Sequence, residues 1–250
     1  LFLDKTRQYS CAYFESEKDS LYQAQMNKMD RLADKLHLKK GDNVLDIGCG
    51  WGSLSRHFNS EYGCNVKGIS LSEEQISYCL KKQKSSKNSK DLEYSLQDYR
   101  NENNHYDKIV SVGMFEHVGK PFYNTYFKKI NDLLSDDGIA VVHTIGNIRT
   151  PKLTPAFIRK YIFPGGYIPS LSEIMPAVEK SGLIISDIEV LRLHYADTLR
   201  NWYKNFQKSE KQVLDLYDER FIRMWESYLN LSEISFRKGD NVVYLSLIHI

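Results

Sequence analysis

Residues 43–58 read NVLDIGCGWGSLSRHF, and this stretch decides the fold. Residues 44–47 are mostly apolar and strand-favouring, and the run from Ser53 onward has the pattern of a helix. Gly48, Gly50 and Gly52 stand between the two. Glycines at such a corner allow positive φ angles and let a ligand approach backbone N–H groups where a Cβ would clash. The stretch predicts a nucleotide-binding turn, and the alternative is a turn that only packs the helix on the sheet.

The spacing of the glycines bears on which nucleotide binds. They form G-x-G-x-G, whereas a dinucleotide fold prefers G-x-G-x-x-G, whose third glycine would fall at Ser53. Asp46 precedes the first glycine, and a carboxylate there repels a pyrophosphate but attracts a positively charged ligand. Ser70 ends the second predicted strand, at a position where most methyltransferases and dehydrogenases carry an acidic residue that an NAD-linked enzyme would need. These features favour S-adenosylmethionine over NAD and make an NAD-linked oxidoreductase the weaker alternative.

Composition excludes several classes of protein. The 250 residues carry 34 basic and 32 acidic side chains, a net charge of +2, which is unlike a dedicated nucleic-acid binder. No apolar run approaches the roughly 18 residues of a membrane span, so we expect a soluble, cytoplasmic protein. The four cysteines lack zinc-ligand spacing, which predicts free thiols and no metal site.

Alternating strands and helices predict an α/β protein with a mostly parallel sheet. Strand-like runs occupy residues 44–47, 66–70, 92–96, 108–112, 139–145, 183–193 and 242–248. Helical patterns occupy residues 53–62, 72–84, 122–134, 154–162 and 172–180. We expect one domain over residues 1–250, with a helical lead-in at 1–40 and a helical lid insert at 196–236. The run KKQKSSKNSKD at 81–91 predicts a helix end and a solvated loop.

Six motifs together resemble the cyclopropane-fatty-acyl-phospholipid synthase family, which includes the mycolic acid cyclopropane synthases. They are YSCAYF at 9–14, VLDIGCGWGSL at 44–54, GISLSEEQ at 68–75, VSVGMFEHVG at 110–119, HTIG at 143–146 and KYIFPGGYIPS at 160–170. The resemblance covers nearly the whole chain. It implies a class I S-adenosylmethionine-dependent methyltransferase fold with seven strands, the last of them antiparallel. We expect the upstream domain of the bacterial phospholipid enzymes to be absent.

The resemblance also implies a reaction. The cis double bond of an unsaturated acyl chain attacks the methyl group of S-adenosylmethionine, and a bound bicarbonate removes a proton from the resulting carbocation as the ring closes. Such a cation needs aromatic faces and a site without water. Aromatic residues cluster in the expected tunnel segments, although ordinary core packing explains most of them individually. They are Tyr13, Phe14, Phe115, Tyr161, Phe163 and Tyr167.

Five residues match the family's anion site. The resemblance implies that Glu116 accepts a hydrogen bond from bicarbonate, and that His143, the Ile145 amide, Tyr195 and Cys11 contact the same anion. Glu116 as a helix cap and His143 as an ordinary strand-end histidine are the alternatives.

Cofactor residues are expected in three groups. Tyr9 and Ser10 match residues that close over the methionine end, where the glycine turn with Asp46, Gly48 and Gly50 also approaches. The other two groups follow the second and third strands, the last near the adenine. They are Ser70, Leu71 and Gln75, and then Gln97 and Asp98.

Two positions depart from the family pattern, and several acceptors of the transferred group are compatible with the sequence. Ser232 stands where the family often has a cysteine, which costs little if bicarbonate is the base, and the ending VVYLSLIHI stops early. Phospholipids at a membrane surface suit the basic residues Lys152, Arg159 and Lys160. Carrier-bound chains, methylation without ring closure, methylation of an amine and non-catalytic lipid binding are alternatives. We expect no nucleic-acid partner, and a homodimer is compatible with the sequence.

Overall fold

The seven strands form one sheet in the order β3-β2-β1-β4-β5-β7-β6, in a computed structural model that describes residues 1–84 and 91–249. Their bounds are β1 Asn43–Ile47, β2 Asn65–Ser70, β3 Leu92–Leu96, β4 Tyr106–Val112, β5 Leu134–Asn147, β6 Ile184–Val190 and β7 Asn241–His249. The first five strands pair in parallel, and β7 runs antiparallel to both β5 and β6. The predicted strand count and the antiparallel last strand are confirmed.

Eight α-helices flank the sheet in the described part of the chain. They are α1 Leu21–Leu36, α2 Ser53–Tyr62, α3 Glu73–Lys84, α4 Tyr123–Leu133, α5 Leu171–Ser181, α6 Leu193–Lys208, α7 Glu210–Leu214 and α8 Glu219–Arg237. Ser20 caps α1 by accepting a hydrogen bond from the Gln23 amide, and Asp218 caps α8 in the same way. No helix of residues 1–84 or 91–249 is long and apolar enough to cross a membrane.

The strands sort their side chains onto two faces, because successive residues of a strand point to opposite sides. In β5, Val141 and Ile145 pack with the core shared by α1, α2, α3, α6 and α8, whereas Ala140 and Val142 pack with α4 and α5. The same alternation directs Asp46 of β1 and His143 of β5 toward the layer that contains α1 and α6. Polar residues of two strands are therefore brought to one face of the sheet.

Two predicted elements are wrong in extent. The strand predicted at 183–193 ends at Val190, and α6 begins at Leu193, so Tyr195 lies on a helix. The side chain of Arg192 donates to the carbonyl oxygens of Phe236 and Gly239 and directs the chain away from the sheet. The helix predicted at 154–162 begins at residue 156, since Pro155 disfavours helical backbone at Thr154, and it is π-helical over Ile158–Ile162.

The predicted helical insert at 196–236 contains most of α6 together with α7 and nearly all of α8. In the basic run at 81–91, residues 81–84 end α3, and the predicted loop at 85–90 lies outside the described residues.

Gly146 makes close packing between β5 and β7 possible, and this gives the first prediction. A Cβ at Gly146 would lie 2.0 Å from the Tyr244 ring, and Tyr244 is fixed because its hydroxyl donates to the Asn147 carbonyl at 2.8 Å. Gly146→Ala should lower the free energy of unfolding by about 1–3 kcal/mol through overpacking. Urea denaturation measures this, and in a Tyr244→Leu background the same alanine should cost clearly less. An equal cost in both backgrounds would show that the ring is not the obstacle.

Candidate active site

The glycine turn leaves backbone open at one position. Gly48 and Gly50 both have positive φ, 83° and 55°. The amides of Gly48 and Cys49 donate to the Ile69 carbonyl at 2.9 and 3.0 Å, which anchors the turn to β2. A Cβ at Gly48 would meet the Met114 side chain at 2.9 Å, whereas a Cβ at Gly50 would have no heavy atom within 4 Å. The backbone around Gly50 therefore borders open space that a ligand can occupy.

Asp46 lies beneath this turn, fully buried. Its carboxylate accepts a hydrogen bond from the Ser55 hydroxyl at 2.6 Å, which fixes the first part of α2 against β1. Burial raises the pKa of Asp46 to about 6, and the Ser55 hydrogen bond and the charge of Lys28 offset only part of this effect. These contacts show a structural role for Asp46, and contact with a cofactor remains a prediction.

Glu116 lies on the turn after β4 and contacts β5 at Ile145, two residues beyond His143. The Ile145 amide donates to Glu116 Oε1 at 2.7 Å, so this amide serves the carboxylate. The second oxygen, Oε2, is buried without a hydrogen-bond partner, and so are both ring nitrogens of His143. Buried polar atoms normally have partners, so a group of three without them suggests a place for a polar ligand.

The electrostatics of the pair follow from its burial. Burial raises the pKa of Glu116 to about 6, with the Ile145 hydrogen bond lowering it in part. Burial lowers the pKa of His143 to about 3, and the charge of Lys28 lowers it further. At neutral pH the site therefore holds a carboxylate and a neutral imidazole that has one donor and one acceptor nitrogen.

Tyr195 and Cys11 border the same region. Tyr195 is buried on α6 and packs against the rings of Trp202 and Phe236, with centroid distances of 5.8 and 4.7 Å. Burial raises the pKa of Tyr195 above its usual value, and the nearby Tyr228, Cys11 and Glu116 raise it further.

Cys11 is completely buried, and its thiol donates to the Ala12 carbonyl. Burial raises the pKa of this thiol, so it stays protonated at neutral pH and is not poised as a nucleophile.

The segment with Tyr9 and Ser10 is held by the surrounding helices. The Tyr9 and Tyr228 hydroxyls lie 2.8 Å apart, and the Ser10 hydroxyl accepts from the Lys28 ammonium at 2.9 Å. The Ala12 amide donates to the Thr198 hydroxyl of α6 at 3.0 Å. These contacts place the segment between α1, α6 and α8.

Lys28 and Tyr228 are not among the site residues expected from the sequence. A signal for Lys28 existed, because it lies four residues from both Ala24 and Leu32 on the apolar stripe of α1. A lysine at that position is directed into the core. Tyr228 has no comparable signal, since an aromatic residue on the buried face of α8 reads as ordinary core.

Most of the residues expected at the adenosine end have hydrogen-bond partners within the protein. The Ser70 hydroxyl donates to Gln75 Oε1 at 3.1 Å, and Leu71 is 72% exposed. The Gln97 amide donates to Glu102 at 3.0 Å, while Asp98 accepts from the Arg100 amide and guanidinium. Ser70, Leu71 and Gln75 follow β2, and Gln97 and Asp98 follow β3 beside it, as parallel strands require. Their contact with a cofactor remains a prediction.

Comparison with known proteins resolves the family. A family model described as mycolic acid cyclopropane synthetase matches residues 1–245. The chain belongs to this family.

Relatives of this family member include the cyclopropane-fatty-acyl-phospholipid synthase of Escherichia coli K12. It is 41% identical over 238 residues, which are 95% of this chain and 61% of that protein. The chain thus spans about three fifths of the length of that curated relative. The S-adenosylmethionine-dependent methyltransferase UmaA of Mycobacterium tuberculosis is 34% identical over 256 residues, covering 96% of this chain and 88% of UmaA.

Among solved structures, the mycolic acid cyclopropane synthase CmaA1 complexed with SAH and CTAB superposes with a TM-score of 0.94 at 32% identity. The match covers 99% of this chain and 91% of CmaA1. The fold is therefore the class I S-adenosylmethionine-dependent methyltransferase fold that the sequence predicts.

The raised pKa of Glu116 gives a prediction about stability. The folded protein holds the Glu116 proton more tightly than an ordinary glutamic acid does, so the wild type loses stability as pH rises from about 4.5 to about 6. Glu116→Gln removes this loss and should gain about 2 kcal/mol relative to the wild type between acidic and neutral pH. Urea denaturation across this pH range measures the difference.

Glu173 is the matched control, because its pKa moves the other way. Burial alone raises it, but hydrogen bonds from Lys120, the Ser170 amide and Tyr167 lower the pKa of Glu173 below its usual value. Glu173→Gln should therefore lose stability relative to the wild type as pH rises. If the stability of both variants relative to the wild type changed in the same direction as pH rises, the opposite pKa shifts assigned to Glu116 and Glu173 would be contradicted.

Proposed function

We propose that this chain is the catalytic unit of a cyclopropane fatty acid synthase. It transfers a methylene group from S-adenosylmethionine to the cis double bond of an unsaturated acyl chain of a phospholipid. The observation that carries the proposal is the buried trio of unpartnered atoms, Glu116 Oε2 and the two His143 nitrogens, in a member of this family.

S-adenosylmethionine fits the open backbone of the glycine turn. Gly50 borders free space, and Gly48 has a positive φ. Tyr9 and Ser10 lie on the N-terminal segment, whose Thr6 carbonyl accepts a hydrogen bond from the Ser53 hydroxyl directly after the turn. When bound, the cofactor supplies a methyl group activated by its sulfonium. Ser70, Leu71 and Gln75 would face the ribose side, and Gln97 and Asp98 the adenine.

Bicarbonate fits the buried trio. Glu116 Oε2 is an acceptor for its hydroxyl, while a His143 N–H and the Tyr195 hydroxyl are donors for its charged oxygens. Cys11 lies close enough to raise the pKa of Tyr195, so it borders the same place. When bound, bicarbonate supplies a base. The role of Glu116 is then to orient that base and strengthen it through a charge-assisted hydrogen bond.

Aromatic rings pack around Tyr9, which lies next to Ser10 at the candidate site. Tyr9 lies with its ring centroid 5.1 Å from Trp202 and 6.2 Å from Phe163, and Phe163 meets Tyr228 edge-on at 5.8 Å. Rings of this kind stabilise positive charge through their faces, and a dry site protects a carbocation from capture by water. These rings would suit the cation that forms when an alkene accepts the methyl group.

The membrane surface is the expected source of the acyl chain. Leu153 is 80% exposed and Tyr161 is 46% exposed, and both lie among basic residues. Lys152 pairs with Asp240 at 2.8 Å, so Arg159 and Lys160 are the better candidates for contact with anionic head groups. This placement supports a peripheral association with the lipid surface.

The test of the proposal is mass spectrometry of lipids. The protein is incubated with labelled S-adenosylmethionine and vesicles of unsaturated phosphatidylglycerol, with and without bicarbonate. We expect a labelled gain of about 14 Da that resists hydrogenation and depends on bicarbonate. A labelled product that takes up hydrogen is an alkene. That result would show methyl transfer without ring closure and would contradict the cyclopropane proposal. Unchanged lipids would contradict a phospholipid acceptor.

Glu116→Gln should separate chemistry from cofactor binding. Turnover should fall by at least about 100-fold, since the bound base loses its charged partner, while affinity for S-adenosylhomocysteine stays within about threefold. Calorimetry measures the affinity, and lipid mass spectrometry measures turnover. The exposed Glu179→Gln is the matched control and should behave like the wild type. Retained turnover in Glu116→Gln would refute the anion-site assignment.

A further inference from the structure

Lys28 is a cation buried in the protein interior. It lies on the apolar face of α1, and only 2% of its surface is exposed. Burial of an ammonium is costly unless a negative charge or a full set of hydrogen bonds compensates it. Burial lowers the pKa of Lys28 to about 8, so the group still carries its charge at neutral pH.

The protein supplies neutral partners for this charge. The ammonium donates to the Ser10 hydroxyl at 2.9 Å and to the Gln8 side-chain oxygen. Among residues 1–84 and 91–249 no carboxylate oxygen lies within 4 Å of it. An ammonium has three protons, and two neutral acceptors leave both its third proton and its charge uncompensated.

More distant charges are already engaged with other groups. Asp4 and Asp46 lie in electrostatic range of Lys28 but beyond ion-pair distance. Asp4 accepts hydrogen bonds from the amide and hydroxyl of Thr6, and Asp46 accepts from Ser55. Two further titratable neighbours are uncharged at neutral pH, because burial raises the pKa of the Cys11 thiol and lowers the pKa of His143.

Lys28 shares its side of the sheet with the unpartnered atoms of the candidate active site. Helix α1 packs against β5, and strand alternation directs His143 to that face. Burial is the main cause of the lowered pKa of His143, and the charge of Lys28 lowers it further, so the two side chains lie within electrostatic range of each other. Gln25, on the same helix, adds a buried side-chain oxygen without a partner.

We propose that Lys28 provides the positive charge for a carboxylate-type anion bound between Ser10 and the Glu116–His143 pair. The inference rests on the proposed function, which offers two sources of that anion: the α-carboxylate of S-adenosylmethionine and free bicarbonate. Both are planar, singly charged oxyanions, and a buried ammonium attracts either one. Gln8 and Ser10 hold the Lys28 ammonium. Ser10 is also expected to close over the methionine end of the cofactor, so Ser10 would serve both cofactor binding and anion binding.

The experiment compares three variants in the intact chain. Lys28→Gln removes the charge but keeps a donor, Lys28→Arg keeps the charge, and Lys18→Gln makes the same change at an exposed lysine. Calorimetry measures the affinity for S-adenosylhomocysteine and for 5′-methylthioadenosine, which has no carboxylate. Carbon NMR titration measures binding of 13C-labelled bicarbonate. Circular dichroism and thermal unfolding verify that each variant folds, and Lys28→Arg keeps the test open should Lys28→Gln unfold.

The two sources of the anion give different results. If Lys28 recognises the cofactor, Lys28→Gln lowers the affinity for S-adenosylhomocysteine by about tenfold and leaves the affinity for methylthioadenosine within about twofold of the wild type. If it recognises bicarbonate, only the bicarbonate titration weakens, again by about tenfold. Lys28→Arg should recover part of either loss, and Lys18→Gln should match the wild type.

Other results overturn the inference. These are wild-type affinity of Lys28→Gln for all three probes, equal losses in Lys28→Arg and Lys28→Gln, or a wild-type chain that binds neither S-adenosylhomocysteine nor bicarbonate. Since no probe requires turnover, charge-dependent binding without cyclopropane formation would refute the proposed function alone.

Discussion

The hydrogen bond from the Ile145 amide to Glu116 is the contact on which the rest of the site depends. It joins β5 to the turn that follows β4, and the Glu116 carbonyl accepts a second bond from the Tyr167 amide at 2.9 Å. Three chain segments thus converge on one residue, and the free carboxylate oxygen has a fixed direction. A rigidly held acceptor needs little reorganisation when a ligand binds, which is the general advantage of a preorganised polar site.

Around this contact the protein keeps ionisable groups away from water. Glu116 becomes easier to protonate, His143 stays neutral, and Lys28 keeps its charge without a carboxylate beside it. In a medium of low polarity each of these groups acts strongly on its neighbours. The cluster is costly for the fold, and the oxyanion proposed to bind there would offset that cost. The proposal thus couples stability and binding through the same few side chains.

Much of the fold could be predicted because its signals are local. The glycine turn and the alternation of strands and helices match the structure, while the antiparallel β7 was expected from the family resemblance and not from a local signal. The end of β6 could not be read from LRLHY, whose apolar residues alternate like a strand and also suit a helix face. Arg192 decides between the two through carbonyl groups of residues 236 and 239, which are distant in sequence.

By itself the sequence determined which residue types stand at the strand ends, since glycine conformation and side-chain periodicity act over a few residues. It also determined the family, through motifs spread along the chain. Only the tertiary structure decided which polar atoms remain without partners, that Asp46 pairs with Ser55, and that Lys28 shares a buried layer with His143. The physical reason is that hydrogen-bond satisfaction and desolvation depend on every neighbour in space, and most of those neighbours are far apart along the chain.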